Sequence, residues 1–182
     1  MTDAPTSGEP EETHSESDIE RSDESTDEAA ATSELIPAVD DWEERTLESF
    51  GNQAVMATLG ASFVEANPGT VTLSMAIEPQ FSQQHGFMHA GIVATLLDSA
   101  CGYAGYTLMP EGAGVVTVEY KINLLAPAKG ELLVATGEVV RSGRSLTVVQ
   151  GSAHAVAGDQ HVHVAEMQAT LMTITDRDDI VG

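Results

Sequence analysis

The fold turns on His89-Ala90-Gly91-Ile92-Val93-Ala94-Thr95-Leu96-Leu97-Asp98-Ser99-Ala100-Cys101-Gly102-Tyr103-Ala104-Gly105-Tyr106. From Ala90 to Met109 the one charged residue is Asp98. A helix apolar on every side is buried on every side. Leu96, Leu97 and Ala100 are strong helix formers, and Pro110-Glu111-Gly112 ends the run. The length would also suit a membrane span. An Asp at its middle, three glycines and the lack of flanking Lys or Arg argue instead for a helix enclosed in a soluble domain. A carboxylate there is costly unless it is paired or used, which makes Asp98 the first candidate for chemistry.

The chain has 182 residues, enough for one domain with a full core. Residues 1–40 hold 13 acidic side chains against one arginine and, apart from Leu35-Ile36, no apolar run. Low hydropathy with high net charge predicts a disordered arm over 1–40. It lacks the basic residues and apolar core of a signal peptide. The remaining 16 acids and six bases leave a domain over 41–176 that is acidic too, with a loose tail at 177–182. Nucleic acid, which needs clustered Lys and Arg, is excluded as a partner. With two lysines in all, the composition predicts a halophilic, cytoplasmic protein. A single cysteine, Cys101, excludes an internal disulfide and fits a reducing compartment; it reads as a packed thiol.

Outward from the helix, Trp42, Leu47 and Phe50 recur at helical spacing after Asp40-Asp41, with Gly51 closing that segment. Val55–Glu65 alternates loosely and predicts a strand. Asn67-Pro68-Gly69 is a turn, and Thr70–Ile77 returns with Val71, Leu73, Met75 and Ile77 on one face. Phe81–Met88 is a polar loop into the helix. Strands are predicted over Val115–Leu125, Glu131–Arg141, Ser145–Val156 and Gln160–Ile174, with a tight hairpin at Ser142-Gly143-Arg144. Short loops imply antiparallel pairing. The expected fold class is α+β, a six-stranded antiparallel sheet wrapped around one long central helix.

These segments resemble the hot-dog fold and, within it, the PaaI-type acyl-CoA thioesterases. Gln83-Gln84-His85-Gly86-Phe87-Met88-His89-Ala90-Gly91, followed by Leu96-Leu97-Asp98, is similar to the family's Asn-x-x-Gly-x-x-His-Gly-Gly-x-x-x-x-Leu-x-Asp pattern. Thr117–Ala128 resembles the strand leading to the family's Pro, here Pro127, and Arg141–Leu146 resembles its basic hairpin. The likeness covers about residues 42–174. This chain departs at Ala90, where the family has the first Gly, and at Gln83, where it has Asn. The backbone N–H survives at Ala90, and Gln83 keeps an amide one methylene further out.

The resemblance implies hydrolysis of an acyl- or aryl-CoA thioester, with coenzyme A as part of the substrate and no other cofactor or metal. Such chemistry needs an activated water and a polarised carbonyl. Ala90 and Gly91 open a helix N-terminus, whose free N–H groups suit an oxyanion. Asp98 can serve as general base or nucleophile. Ala90 and Asp98 lie eight residues apart, about 12 Å along a helix at ~1.5 Å per residue. One thioester carbonyl cannot easily meet both within one helix, and a two-fold partner with its helix antiparallel would bring Asp98 of one chain beside Ala90 of the other. A homodimer, or a tetramer built as a dimer of dimers, is therefore expected.

Thr117 is placed by the resemblance near the reactive centre, His89 as a positioning residue, and Gln83 as a holder of water or the carbonyl. Arg144, and less directly Arg141, are candidates for a coenzyme A phosphate. Phe81, Phe87 and Met88 are candidates for an apolar acyl tunnel. Two other readings remain: a hot-dog dehydratase of 3-hydroxyacyl thioesters using His85 or His89 with an acid, and a non-catalytic acyl-thioester-binding module. His154, His161 and His163 lack partners at zinc-ligand spacing and read as strand histidines.

Overall fold

The computed structural model describes residues 35–175 and Arg177. The predicted arm, apart from its last six residues, and most of the tail lie outside them. The element order is α1 (Trp42–Asn52), α2 (Ala54–Leu59), β1 (Ser62–Asn67), β2 (Thr70–Ala76), a 3-10 turn (Pro79–Phe81), α3 (Ala90–Tyr106), β3 (Gly114–Leu124), β4 (Leu132–Ser142), β5 (Leu146–Ala157) and β6 (Gln160–Ile174). Among the described residues the strands form one antiparallel sheet in the order β1-β2-β4-β5-β6-β3, packed on α3.

The alternation read in β2 holds: Val71, Leu73 and Met75 are buried and face the core. Register shifts at Phe63/Glu65, Thr117/Glu119, Val139/Arg141 and Ala153/His154 put a bulge in β1, β3, β4 and β6 respectively. Bulges bend strands and increase their twist, and this lets the sheet curl around a helix. The helix lies very close to the sheet. A β-carbon on Gly137 would fall 2.5 Å from the Ala100 carbonyl oxygen, and one on Gly151 2.7 Å from Cys101 Sγ. These two glycines are paired across β4 and β5, so the sheet has a shallow seat under the middle of α3, where helix backbone meets Gly137 and the Cys101 and Leu97 side chains meet Gly151.

Two sequence expectations fail. Val55–Glu65 is not one strand. Ala54–Leu59 is a helix whose Met56 and Leu59, three apart, are buried, and Gly60 ends it in the left-handed region at φ +64°. The strand begins only at Ser62. Leu47 is not on the inner face of α1; it is 44% exposed, whereas Thr46 is fully buried with its hydroxyl donated to the Trp42 carbonyl at 2.6 Å.

α1 is held to α3 by polar and aromatic contacts. Arg45 Nη1 donates to the Met109 carbonyl at 3.1 Å, and its guanidinium lies 4.6 Å from the Tyr106 ring centroid. Phe50 meets the rings of Phe63 and Tyr103 edge-on at 5.4 and 5.7 Å. Leu35 sits against Gly69, where a β-carbon would collide with it. No helix of the described residues is long and apolar enough to cross a membrane.

Candidate active site

The loop before α3 is closed by its own backbone. Gln83 N–H donates to the Phe87 carbonyl at 2.8 Å and Gly86 N–H to the Gln83 carbonyl at 2.9 Å, with Gly86 at φ +80°. His89 N–H then donates to the Phe81 carbonyl at 2.8 Å and Met88 N–H to the Ala128 carbonyl at 3.2 Å. His89 is the N-cap of α3, and its Nδ1 accepts the Gly91 N–H at 3.0 Å. The Gly91 N–H is committed to the cap, while the Ala90 N–H has no partner among the described residues. With Nδ1 accepting, a neutral His89 ring carries its proton on Nε2.

Gln83 Oε1 accepts the His85 N–H at 2.5 Å, which leaves the Gln83 amide nitrogen as the group free to donate. Gln83, Phe87, Met88, Ala90, Leu124 and Leu125 line one cavity of about 370 Å³. Lys129, which the sequence reading did not single out, places Nζ 4.5 Å from the Phe87 ring centroid. Phe81 is only partly buried and does not line that cavity.

Asp98 lies in a second cavity, of about 600 Å³. It is half-buried, and its surroundings are not the apolar ones expected from the sequence. Thr117 Oγ1 donates to Asp98 Oδ1 at 2.8 Å, and the cavity continues past Ser99, Gly102 and Tyr103 to Ser49, Asn52 and Gln53 of the α1–α2 junction. Ser99 Oγ donates to Gln53 Oε1 at 3.2 Å. These polar residues escaped the sequence reading because α1 showed only an amphipathic pattern. Ser99, next to Asp98, was the one available signal. Cys101, one turn from Asp98, is fully buried; burial first and the Asp98 charge second push its thiol up to about 12.

Within one chain, Thr117 joins Asp98, and Gln83, Phe87 and Met88 join Ala90, but the two groups occupy different cavities. Both cavities open along β3. Among the described residues that strand pairs only with β6, and it exposes Val116, Val118, Tyr120 and Leu124, with Leu125 exposed just past its end. Arg141 and Arg144 sit at the β4–β5 hairpin and line neither cavity. On the outer face of the sheet, His154 stacks on His163 with centroids 4.7 Å apart, and His163 Nε2 lies 2.7 Å from Glu166 Oε1. Burial, with His163 beside it, lowers the His154 pKa. Among the described residues no group of three or more His, Cys, Asp or Glu side chains is placed to hold a metal.

A sequence profile described as the thioesterase superfamily matches residues 85–161, which include the α3 cap, Asp98 and Thr117. Human acyl-coenzyme A thioesterase 13 is 35% identical over 86 residues, which are 47% of this chain and 61% of that enzyme. The chain thus aligns with about three fifths of its length. Among solved structures, the PaaI protein of the E. coli phenylacetic acid degradation operon superposes at a TM-score of 0.67 over 74% of this chain and 94% of its own. At 22% identity, that likeness is one of fold. A thioesterase family protein from Silicibacter pomeroyi is 47% identical, with a TM-score of 0.72 over 78% of this chain and 99% of its own. The α+β sheet packed on α3, the capped loop and these matches together make this chain a member of the thioesterase superfamily, in the hot-dog fold.

Proposed function

We propose that the protein hydrolyses an acyl- or aryl-CoA thioester to the free acid and coenzyme A, at a site completed by two chains. The observation that carries this reading is the split itself. One chain holds a carboxylate with a hydroxyl donated to it and, in a separate cavity, an unpartnered N–H at a helix start. A second copy laid antiparallel along the open edge of β3 would exchange the Thr117 end of that strand for its Leu124 end. The Asp98 cavity of one chain would then face the Ala90 cavity of the other. The exposed apolar row on β3 supports such a partner, since an unpaired apolar edge is a liability for a lone chain.

In this arrangement Thr117 occupies Asp98 Oδ1, and Asp98 Oδ2 takes a proton from water as the water oxygen adds to the thioester carbon. Negative charge passes to the carbonyl oxygen, where the Ala90 N–H and the Gln83 amide donate. Collapse breaks the C–S bond, and the proton held by Asp98 goes to the departing thiolate. Direct attack by Oδ2 would form a mixed anhydride and, after hydrolysis, the same products. Lys129, beside the Ala90 cavity, is the better-placed cation for a coenzyme A phosphate. Arg141 and Arg144 would serve only from the hairpin. The acidic composition and single buried thiol support a cytoplasmic, salt-adapted enzyme.

The test is thiol release from a panel of acyl- and aryl-CoA esters in high salt, for the wild type and Asp98→Asn. Hydrolysis that falls at least about a hundredfold in the variant supports the reading. Wild type that binds the esters as an intact dimer but releases no thiol would make it a binding module.

A further inference from the structure

Resting on that reading, we infer that the preferred acyl group carries a hydrogen-bonding oxygen at its far end, and that Gln53 recognises it. The cavity that holds Asp98 is also lined by Gly102 and Tyr103 of α3 and by Ser49, Asn52 and Gln53 on α1 and at the α1–α2 junction. Gly102 is one helical turn beyond Asp98, and a β-carbon there would meet nothing within 4 Å, so the space beside it is open. At the junction end Ser99 Oγ, one residue along from Asp98, donates to Gln53 Oε1 at 3.2 Å. In that bond the carboxamide oxygen is used, and its Nε2 donors have no partner among the described residues. The Gln53 backbone ends α1 and starts α2, but its side chain caps neither helix. A purely hydrocarbon tail pushed into this end would strip water from amide donors and offer nothing in return. A hydroxyl or carbonyl oxygen would replace that water. A carboxylate tail is excluded by the nearby negative charge of Asp98.

The experiment compares kcat/KM for matched CoA esters that differ by one terminal hydroxyl, hexanoyl against 6-hydroxyhexanoyl and octanoyl against 8-hydroxyoctanoyl. Wild type, Gln53→Met and Ser99→Ala are measured. The wild type is expected to favour the hydroxylated member of at least one pair by about ten- to a hundredfold. Gln53→Met should bring that ratio to within about threefold, and Ser99→Ala, which releases the carboxamide, should give an intermediate ratio. No hydroxyl preference in the wild type, or one that survives both substitutions, overturns the inference. Calorimetric binding of the same pairs to Asp98→Asn is measured in parallel, in that background with and without Gln53→Met. If no ester is hydrolysed, the thioesterase reading fails, and binding decides the pocket assignment: a hydroxyl preference abolished by Gln53→Met sustains it, and equal binding overturns it.

Discussion

Thr117 Oγ1 donates to Asp98 Oδ1 at 2.8 Å, joining the edge strand β3 to the central helix at the one carboxylate of that helix. The bulge between Thr117 and Glu119 lies directly beside this bond. A bulge re-aims the side chains next to it, and here it accompanies a hydroxyl that fixes one carboxylate oxygen and leaves the other without a partner among the described residues. Thr117→Val keeps the shape and removes the donor. A hydrogen bond to a charged group is worth about 1.5–3 kcal/mol, so kcat is expected to fall about ten- to a hundredfold, with a smaller change in KM. A single turnover in 18O water then tests for direct attack by the carboxylate. Label left on Asp98 means that the carboxylate attacked and that water then opened the anhydride at Asp98. Label confined to the acid product is expected if water attacked the thioester, and also if water opened the anhydride at the acyl carbon.

Ala90 offers a way to delete one backbone donor with little damage. It is the first residue of α3, where proline is well tolerated, and His89 before it is already extended at φ −65°, ψ 133°. Ala90→Pro should fold with an unchanged circular dichroism spectrum and lose about 10²–10³ in kcat, the usual cost of one oxyanion donor. Unchanged turnover would remove the Ala90 N–H from the mechanism.

The two-chain site predicts complementation. Asp98→Asn and Ala90→Pro each disable both sites of a homodimer. After the two proteins are mixed, unfolded and refolded together, a heterodimer has one site with Asp98 and Ala90 both intact. Activity should return to roughly a quarter of wild type, the statistical share of such sites under random pairing. If each site lies within one chain, nothing returns.

Gly102 is unusual in leaving open space inside a helix otherwise tightly enclosed. Glycine inside a helix costs about 1 kcal/mol relative to alanine. Gly102→Ala is therefore expected to raise the urea midpoint, while Gly102→Val should narrow the passage beside Asp98. In acyl-CoA assays the valine variant should lose kcat/KM for long or bulky esters more than for acetyl-CoA.

Cys101 predicts an alkaline weakness. Its thiol ionises near 9.0 when unfolded and at about 12 when folded, through burial and then the Asp98 charge. A folded pKa above the unfolded one leaves this contribution intact below pH 9 and removes it as pH rises toward 12. The loss is about 1.4 kcal/mol per pH unit across that window. Tyr103, also raised by burial, acts in the same direction. Urea midpoints between pH 8 and 11 should fall more steeply for wild type than for Cys101→Ala.

Much of this was legible because the signals were local and periodic. The unbroken apolar run around Asp98, the alternation from Val71 to Met75 and the turn residues between strands each act within a few residues of chain. Ala54–Leu59 was misread because a six-residue helix offers too few repeats to separate a period of 3.6 from one of 2. The family resemblance placed Thr117 near the reactive centre without naming a partner, and its hydrogen bond to Asp98 emerges only from the fold. The polar end of the cavity was hidden for a different reason. Gln53 meets Ser99, and Ser49 and Asn52 join the same cavity, only after α1 packs on α3, and nothing in their own spacing announces it. Likewise, the Gly91 N–H looked free until the His89 ring was seen to accept it.

The glycine pair under α3 has a consequence for how the enzyme can change. With the backbone of α3 resting on the backbone of Gly137, the height of α3 above the sheet there is set by atoms that no side-chain exchange elsewhere can trim. On the two-chain reading each helix serves two reactions at once, giving its carboxylate to one and its leading N–H to the other. A methyl group added at Gly137, inside the sheet and outside both cavities, would lift the middle of that helix and detune both centres together. Substrate range, by contrast, is free to drift at Gly102 and along α1, where a change alters the pocket and leaves the spacing of the reacting groups alone.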